Sequence, residues 1–480
     1  MNSASSEAYQ KTTQKSQKPC QLSFDNGSLV LQNPPEKVSL PSYLRTDSRL
    51  GALRCEGLYY RDLMNHLARQ GAKVQDDARA YVELDFPLAQ LPPAFTHQQA
   101  ALQAWQQQRQ RAVVELPTGA GKTVLALMAI QQTGRSALVV VPTLDLLAQW
   151  ADAVEKMLGV TPGMLGGGSH DLRPITITTY ASALLHAGHW GHRFGLVVFD
   201  ECHHLPSGAH AQIAEMLIAP FRLGLSATLH RNDGGHQLLH HLVGPLAHAE
   251  KIGELTGTVL APYRTEVCPV DLTPEEQGAY ADARAIYQGF LTTTGIQLAQ
   301  SGGWQRFLKA ASRSAEGREA LKAFFQQKKL AYSSAAKFAQ CLTLLQRHAG
   351  ERVLVFTNDN ATAYEISRRF LVPLITHQTP VAERREILQA FREGRWPVLA
   401  TSKVLNEGVD VPAAAVAIIF SGNASVREHV QRLGRVLRRE AGKEAVLYEL
   451  VTRSTSEEAT SRRRRQHQAY NAKGRRHVGY

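Results

Sequence analysis

Short apolar runs alternate with helical stretches over most of the chain. Five runs between about 95 and 262 fit buried strands: Ala112–Leu116, Ala137–Val141, Ile175–Thr179, Leu196–Phe199 and Leu223–Ser226. Five more occur between about 340 and 455: Val353–Phe356, Leu371–Ile375, Val398–Ala400, Val416–Phe420 and Ala445–Tyr448. Continuous apolar strands separated by helices are typical of a parallel sheet covered on both faces. The pattern therefore predicts two α/β units.

The segments around these units have other patterns. Residues 20–88 combine short apolar runs, turn sequences and a helical stretch at Tyr60–Arg69, which predicts a small α+β domain. Residues 272–338 are predicted to be mostly helical. They are also basic, because Arg284–Lys337 holds nine Lys or Arg and only two acids, Glu316 and Glu319. The predicted division of the chain is 1–18 (disordered tail), 20–88, 90–271 (first α/β unit), 272–338 (helical basic insertion), 339–455 (second α/β unit) and 456–480 (basic, flexible tail).

The amino-acid composition limits the kinds of molecule that the protein is expected to bind. The 54 Lys and Arg exceed the 42 Asp and Glu, for a net charge of +12. This excess favours a polyanionic partner, although a solvated basic surface would give the same count. The five cysteines are scattered and form no C-x-x-C pair, which argues against disulfides and a structural metal and fits a reducing cytoplasm. The N-terminus has no signal peptide and no run of 18 apolar residues exists, so we expect no membrane segment.

A glycine-rich loop follows the first predicted strand. Residues 115–123 have the sequence ELPTGAGKT and precede a helical run. Strand, loop and helix in this order are the context that a phosphate-binding loop requires, although Leu116 stands where the strict motif has its first glycine. We expect Lys122 to reach the β- and γ-phosphates of ATP and Thr123 to hold Mg²⁺. The residues predicted to line the phosphates are Pro117, Thr118, Gly119, Ala120, Gly121, Lys122 and Thr123.

Two adjacent acids end another apolar strand of the same unit. Asp200 and Glu201 follow Leu196–Phe199, and ligands bind at the carboxyl ends of parallel strands. Asp200 is predicted to join the Mg²⁺ shell and Glu201 to deprotonate the attacking water. His203 and His204 come next, but they have no third ligand at a useful spacing, so we favour a coupling role for His203 over zinc binding.

The second unit contributes a pair of arginines. Arg435 and Arg438 are three residues apart and share one helix face. Two guanidinium groups so placed suit a γ-phosphate arriving from the other unit. A basic surface face, or a grip on a nucleic-acid backbone, explains the same pair equally well.

Together these segments resemble the motifs of superfamily-two helicases. In motif order they are Leu116–Thr123 (I), Val141–Leu144 (Ia), Asp200–His203 (II), Ser226–Thr228 (III), Val355–Asn358 (IV), Asn406–Asp410 (V) and Gln431–Arg438 (VI). Within that superfamily the chain most resembles XPB-type (xeroderma pigmentosum group B) DNA helicases. Residues 222–233 carry this resemblance, and Arg231-Asn232-Asp233 stands where the family has an Arg-Glu-Asp triplet.

The resemblance implies a fold and a set of roles. It implies two RecA-like α/β domains, a damage-recognition-like domain at 20–88 and a thumb-like insertion within 272–338. It implies adenine recognition by Gln98, and completion of the ATP site by the motif V and VI residues Gly408, Asp410, Gln431, Arg435 and Arg438. His203, Ser226 and Thr228 would couple ATP to DNA, and Arg231 and Asp233 would act in duplex opening. The expected DNA phosphate contacts are Thr143, Thr179 and Thr401.

The motifs and the resemblance together predict an ATP-dependent DNA helicase that acts on single-stranded or forked DNA, in DNA repair or related processing. The resemblance also implies that it moves 3′ to 5′. One alternative is a DNA translocase that serves a partner nuclease, and an RNA helicase is less favoured. A non-catalytic nucleic-acid-binding module is a third class. The intact Lys122, Thr123, Asp200 and Glu201 argue against it.

Overall fold

The computed structural model describes residues 19–35, 38–229, 236–255, 259, 261–298, 300, 302–402, 414–422 and 445–465. The predicted fold class, two parallel-sheet units with a small N-terminal α+β domain and a helical insertion, is confirmed.

The N-terminal domain is a sheet with one helix. Its described strands have the order β3-β4-β2-β1-β5, with β1 and β2 joined by a tight turn at Asn26-Gly27, where both residues have positive φ. The helix α1 buries Tyr60, Leu63 and Leu67, which the helical period places on one face. The strands are β1 (Cys20–Asp25), β2 (Ser28–Gln32), β3 (Arg45–Asp47), β4 (Ala52–Glu56) and β5 (Val74–Asp76), and α1 is Tyr60–Arg69.

The first α/β unit has eight strands within the described ranges, in the order β13-β6-β12-β11-β7-β10-β8-β9. Every neighbouring pair is parallel except β8 and β9. Its strands are β6 (Arg111–Glu115), β7 (Ala137–Val141), β8 (Gly163–Gly166), β9 (Ser169–His170), β10 (Ile175–Thr179), β11 (Leu196–Phe199), β12 (Phe221–Ser226) and β13 (Leu246–Ala249). Its helices are α2 (Thr96–Gln107), α3 (Lys122–Thr133), α4 (Leu144–Leu158), α5 (Tyr180–Trp190), α6 (Ala211–Met216), α7 (His236–Leu242) and α8 (Ile252–Leu255).

The second α/β unit has a parallel sheet whose described strands have the order β14-β19-β18-β15-β17-β16. The strands are β14 (Tyr263–Val270), β15 (Val353–Phe356), β16 (Leu374–Ile375), β17 (Val398–Thr401), β18 (Val416–Ile419) and β19 (Ala445–Thr452). The insertion between β14 and β15 contains α9 (Pro274–Thr294), α10 (Gly303–Ala311) and α11 (Ala315–Tyr332). The helices around the sheet are α12 (Ala335–Arg347), α13 (Asn360–Phe370), α14 (Val381–Arg392) and α15 (Ser456–Arg465).

Three details differ from the sequence-based expectations. The strand expected at Leu371–Ile375 is only Leu374–Ile375, because Leu371 ends α13 in a left-handed conformation (φ 53°). The strand β14, which we grouped with residues 90–271, pairs along its whole length with β19 of the second unit.

The third difference concerns the C-terminal segment 456–480, which we expected to be a flexible tail. Its first ten residues form the helix α15. The side chain of Glu457 is fully buried there and forms an ion pair with Lys337 of α12, at 2.6 Å. A buried carboxylate paired in this way fixes the start of the segment against the second unit, so that part of the expectation is wrong.

Candidate functional site

The site lies at the carboxyl edge of the first unit's sheet. The strands β6, β12, β11, β7 and β10 are parallel neighbours. Residues that follow these strands therefore meet at one edge, where open parallel sheets bind ligands. This edge brings together the glycine-rich loop, the two acids and the predicted coupling residues.

The glycine-rich loop has a backbone that only glycine accommodates well. Gly119 and Gly121 have φ values of +88° and +81°. A Cβ at Gly121 would lie 2.3 Å from the Nε2 atom of Gln98. The helix α3 starts at Lys122, and the N-terminus of a helix favours an anion. The loop is thus shaped to receive a phosphate against its main chain.

Charged side chains surround this loop. The Nζ atom of Lys122 lies 3.4 Å from the Oε1 atom of Glu201 and 3.4 Å from the carbonyl oxygen of Leu116. Asp200 and Glu201 are both buried. Burial, followed by the charge of Glu201, raises the pKa of Asp200, while Lys122 opposes the shift. A divalent cation relieves the cost of two adjacent buried carboxylates, so the donor set fits Mg²⁺.

Two aromatic residues fix the orientation of Asp200. The indole Nε1 of Trp150 donates to Asp200 Oδ2 at 2.9 Å, and the hydroxyl of Tyr180 donates to the Asp200 carbonyl oxygen at 3.0 Å. The main-chain N–H of Glu201 donates to the other carboxylate oxygen at 3.0 Å. Trp150 and Tyr180 were not predicted as site residues, because apolar periodicity assigns both to the core. Their polar atoms were the one available clue.

Two residues in the first turn of α2, His97 and Gln98, contact the main chain of the glycine-rich loop. Gln98 accepts from the N–H of Phe95 at 2.9 Å and donates through Nε2 to the carbonyl oxygen of Gly121 at 3.1 Å. His97, which the sequence analysis also missed, has Nε2 at 2.8 Å from the carbonyl oxygen of Ala120. In this structure the amide of Gln98 therefore contacts the loop backbone. Its predicted contact with adenine stays a prediction.

A chain of polar contacts leads from Glu201 to the end of β12. The Nδ1 atom of His203 lies 3.4 Å from Glu201 Oε2 and 3.0 Å from the Ser226 hydroxyl. Ser226 in turn donates to the carbonyl oxygen of Thr228 at 2.9 Å. Leu229 donates its N–H to Glu115, at the entry to the loop, at 3.2 Å. The predicted coupling residues His203, Ser226 and Thr228 are thus in contact with one another and with Glu201.

The three threonines predicted to contact DNA have internal partners. Thr143 and Thr179 cap α4 and α5, accepting main-chain N–H groups at 3.2 Å each. Thr401 is fully buried and donates to the carbonyl oxygen of Ser402 at 3.2 Å. Their DNA contacts stay predictions. Seven other predicted site residues lie outside the described residues: Arg231, Asp233, Gly408, Asp410, Gln431, Arg435 and Arg438.

Two features are absent from the described parts of the chain. No three His, Cys, Asp or Glu side chains converge as a metal-binding group. In the same ranges, no helix combines the length and apolar character that crossing a membrane requires. The five cysteines are free thiols.

Three family models match the chain. Residues 22–78 match the xeroderma pigmentosum group B helicase damage recognition domain, and residues 93–231 match the res subunit of type III restriction enzymes. Residues 318–473 match the ERCC3/RAD25/XPB C-terminal helicase model.

The chain is also similar in sequence to individual proteins of the family that these models describe. The chain is 39% identical to "DNA 3'-5' translocase XPB2" of Sulfurisphaera tokodaii, over 88% of this chain and 96% of that protein. It is 31% identical to "DNA 3'-5' helicase XPB" of Kineococcus radiotolerans, over 72% of this chain but only 58% of the relative. The fold is similar to that of Saccharomyces cerevisiae Dbp5 bound to RNA and ADP BeF3, with a TM-score of 0.54 and 16% identity over 77% of this chain and 86% of that one. The chain therefore belongs to the XPB family of DNA helicases and translocases.

Proposed function

We propose that the protein is an ATP-dependent DNA motor that moves 3′ to 5′ and opens duplex DNA, in DNA repair or related processing. The observation that carries the proposal is the cluster of Lys122, Asp200 and Glu201 beside the glycine-rich loop. Relatives named DNA 3′-5′ helicase or translocase support the choice of DNA and of direction.

In the proposed reaction, Lys122 and the loop N–H groups bind the β- and γ-phosphates of ATP. Thr123 and Asp200 would hold Mg²⁺, which neutralises phosphate charge when bound. Glu201 accepts a proton from the water that attacks the γ-phosphorus, and the bond from that phosphorus to the β–γ bridging oxygen breaks. Arg435 and Arg438 of the second unit, aided by Gln431, Gly408 and Asp410, would stabilise the charge that develops on the phosphates.

Coupling would run through the chain His203–Ser226–Thr228. Because His203 contacts Glu201, loss of the γ-phosphate would change its surroundings and those of Ser226. Thr228 stands two residues before the segment 230–235, which includes Arg231 and Asp233, the proposed strand-opening residues. A change in the contacts of Asp200 and Glu201 would thus be transmitted through these side chains to the strand-opening residues and the DNA. It would need no large rearrangement of the sheet.

A second candidate is a translocase that moves on DNA without separating much duplex and serves a partner nuclease. The Sulfurisphaera tokodaii relative, which the chain matches over nearly its whole length, is named a translocase. Its name supports this second candidate. A cytoplasmic location, inferred from the cysteines, completes the proposal. The intact catalytic cluster disfavours a non-catalytic binding module.

Phosphate release in the presence of forked duplex, single-stranded DNA or RNA tests the proposal. We expect DNA to stimulate hydrolysis, RNA to stimulate it less, and the forked duplex to be separated in the same reaction. Stimulation without strand separation would select the translocase. Hydrolysis that no DNA stimulates would contradict both candidates.

A further inference from the structure

One face of α11 carries cations on both sides of a phenylalanine. Arg318, Lys322, Phe325 and Lys329 are all exposed, and we call them the α11 stripe. Their spacings of four, three and four residues place them within about 60° of one another around the helix. The acids of α11, Glu316 and Glu319, lie about 90° or more from the centre of this stripe. The stripe is therefore uniformly positive around one aromatic ring.

The exposed ring of Phe325 packs against the aromatic cluster of the insertion. It meets Phe324 edge to face, with centroids 5.5 Å apart. Phe324 itself contacts Tyr287 and Trp304, each with centroids 5.0 Å away, inside the aromatic core of the insertion. Phe325 nevertheless leaves 56% of its surface exposed. A large aromatic ring that is braced but uncovered offers a flat apolar face to a ligand.

The insertion is fastened to the second α/β unit. The hydroxyl of Tyr280 in α9 accepts the N–H of Ser456 at 2.9 Å, and Thr452 donates to the carbonyl oxygen of Ala331 in α11 at 2.6 Å. Glu276 accepts the N–H of Ala335 at 3.2 Å. A ligand held by the α11 stripe would therefore move with the second unit whenever the two units shift relative to each other.

We propose that the α11 stripe binds an unpaired DNA strand, with Phe325 stacked on a base and Arg318, Lys322 and Lys329 on its phosphates. This proposal rests on the proposed function. The stripe spans roughly 16 Å along the helix axis, enough for several successive phosphates. Cations that follow a backbone, with an aromatic ring for the bases, are the combination that single-strand binding uses. In a duplex each base face is already covered by its neighbours, so the ring would select the unpaired strand.

Binding by the full-length chain to two strands of equal length tests the role of Phe325. One is a thymidine oligonucleotide, and the other has the same sugar–phosphate backbone without bases. We expect Phe325→Ala to weaken binding of the thymidine strand about 10-fold, within the range for one stacked base, and to leave the abasic strand unaffected. Phe325→Trp should restore the affinity, and its fluorescence should change on binding the thymidine strand only.

A charge variant tests the phosphate contacts independently. Lys322→Gln should weaken binding of both strands and lower the slope of log affinity against log salt by about 0.7. Lys309→Gln is the matched control, since Lys309 is an exposed lysine of α10 outside the stripe, and it should leave the slope as in the unmodified chain.

Wild-type binding of both strands by Phe325→Ala would overturn the proposal and leave the ring to a protein partner. An equal loss on both strands would also overturn it, because the ring would then act only through the fold. If Phe325 matters for the thymidine strand but no DNA stimulates ATP hydrolysis, the proposed function fails and the stripe assignment stands.

Discussion

Arg384 of the second α/β unit forms an ion pair with Asp145 of the first. The guanidinium group donates from Nη1 to Asp145 Oδ2, and from Nη2 to the carbonyl oxygen of Thr379 at 3.1 Å. Only 11% of each side chain is exposed. Asp145 lies in the first turn of α4, two residues after Thr143, and Arg384 lies in α14. The pair thus connects the predicted DNA edge of the first unit to the unit that supplies the predicted arginines.

Loss of this pair should impair closure of the two units. Arg384→Ala leaves Asp145 without its partner, so we expect DNA-stimulated ATP hydrolysis to fall about 10-fold, equivalent to about 1.4 kcal/mol. Asp145→Ala should have a similar effect, and the double variant should be little worse than either single one. Steady-state hydrolysis with saturating DNA measures this. Additive losses in the double variant would show that the two residues act separately.

Trp150 should control how well Asp200 binds Mg²⁺. Trp150→Phe keeps the ring but removes the hydrogen bond to Asp200, so the Mg²⁺ concentration that gives half-maximal hydrolysis should rise about 10-fold. Trp105→Phe is a matched control, because the indole of Trp105 donates to the carbonyl oxygen of Arg222 at 2.8 Å, away from the acids. Equal effects of the two variants would contradict the assignment.

The same variant should alter the pH dependence of the reaction. Burial and the neighbouring Glu201 already raise the pKa of Asp200, whereas the Trp150 hydrogen bond lowers it. Removing that bond raises the pKa further, so Asp200 becomes protonated at a higher pH as the solution is acidified. The acid limb of the hydrolysis profile should therefore move to higher pH in Trp150→Phe, measured at a fixed low Mg²⁺ concentration. A limb that stays in place, or moves to lower pH, would exclude Asp200 as the titrating group.

The central strands of both units could be predicted from the sequence because most of them are continuous apolar runs. The same runs located the glycine-rich loop and Asp200-Glu201, since parallel strands deliver their following residues to one edge. The strands β8, β9, β13 and β14 were not predicted, because they are short or contain polar residues. The pair Asp145–Arg384 could not be predicted, because its members are 239 positions apart and both belong to ordinary polar helix faces. His97 and Trp150 were missed for a related reason: their positions in the sequence fit ordinary helix residues, and only their polar side-chain atoms distinguish them from core residues.

The C-terminal helix shows how a charge run can mislead. Arg462–Arg465 is typical of a solvated tail, yet Glu457 and Lys337 pair in the interior with neither side chain exposed. Lys337→Met should lower the free energy of unfolding by about 3–5 kcal/mol, because it leaves the buried carboxylate of Glu457 without its cationic partner. Lys337→Met with Glu457→Leu should recover much of that loss. Denaturant titration measures both variants, and a change below about 1 kcal/mol for Lys337→Met would contradict the buried pair.

The central claim is that Glu201 is the base of an ATP-hydrolysing DNA motor, and single-turnover hydrolysis by Glu201→Gln tests it most directly. We expect this variant to bind ATP and Mg²⁺ like the unmodified chain, because the loop and Asp200 are intact. Hydrolysis with saturating DNA should fall by about 10²–10⁴-fold. Lys122→Ala is the contrasting variant and should weaken ATP binding as well, since it removes a phosphate contact. Hydrolysis by Glu201→Gln at the rate of the unmodified chain would contradict the account.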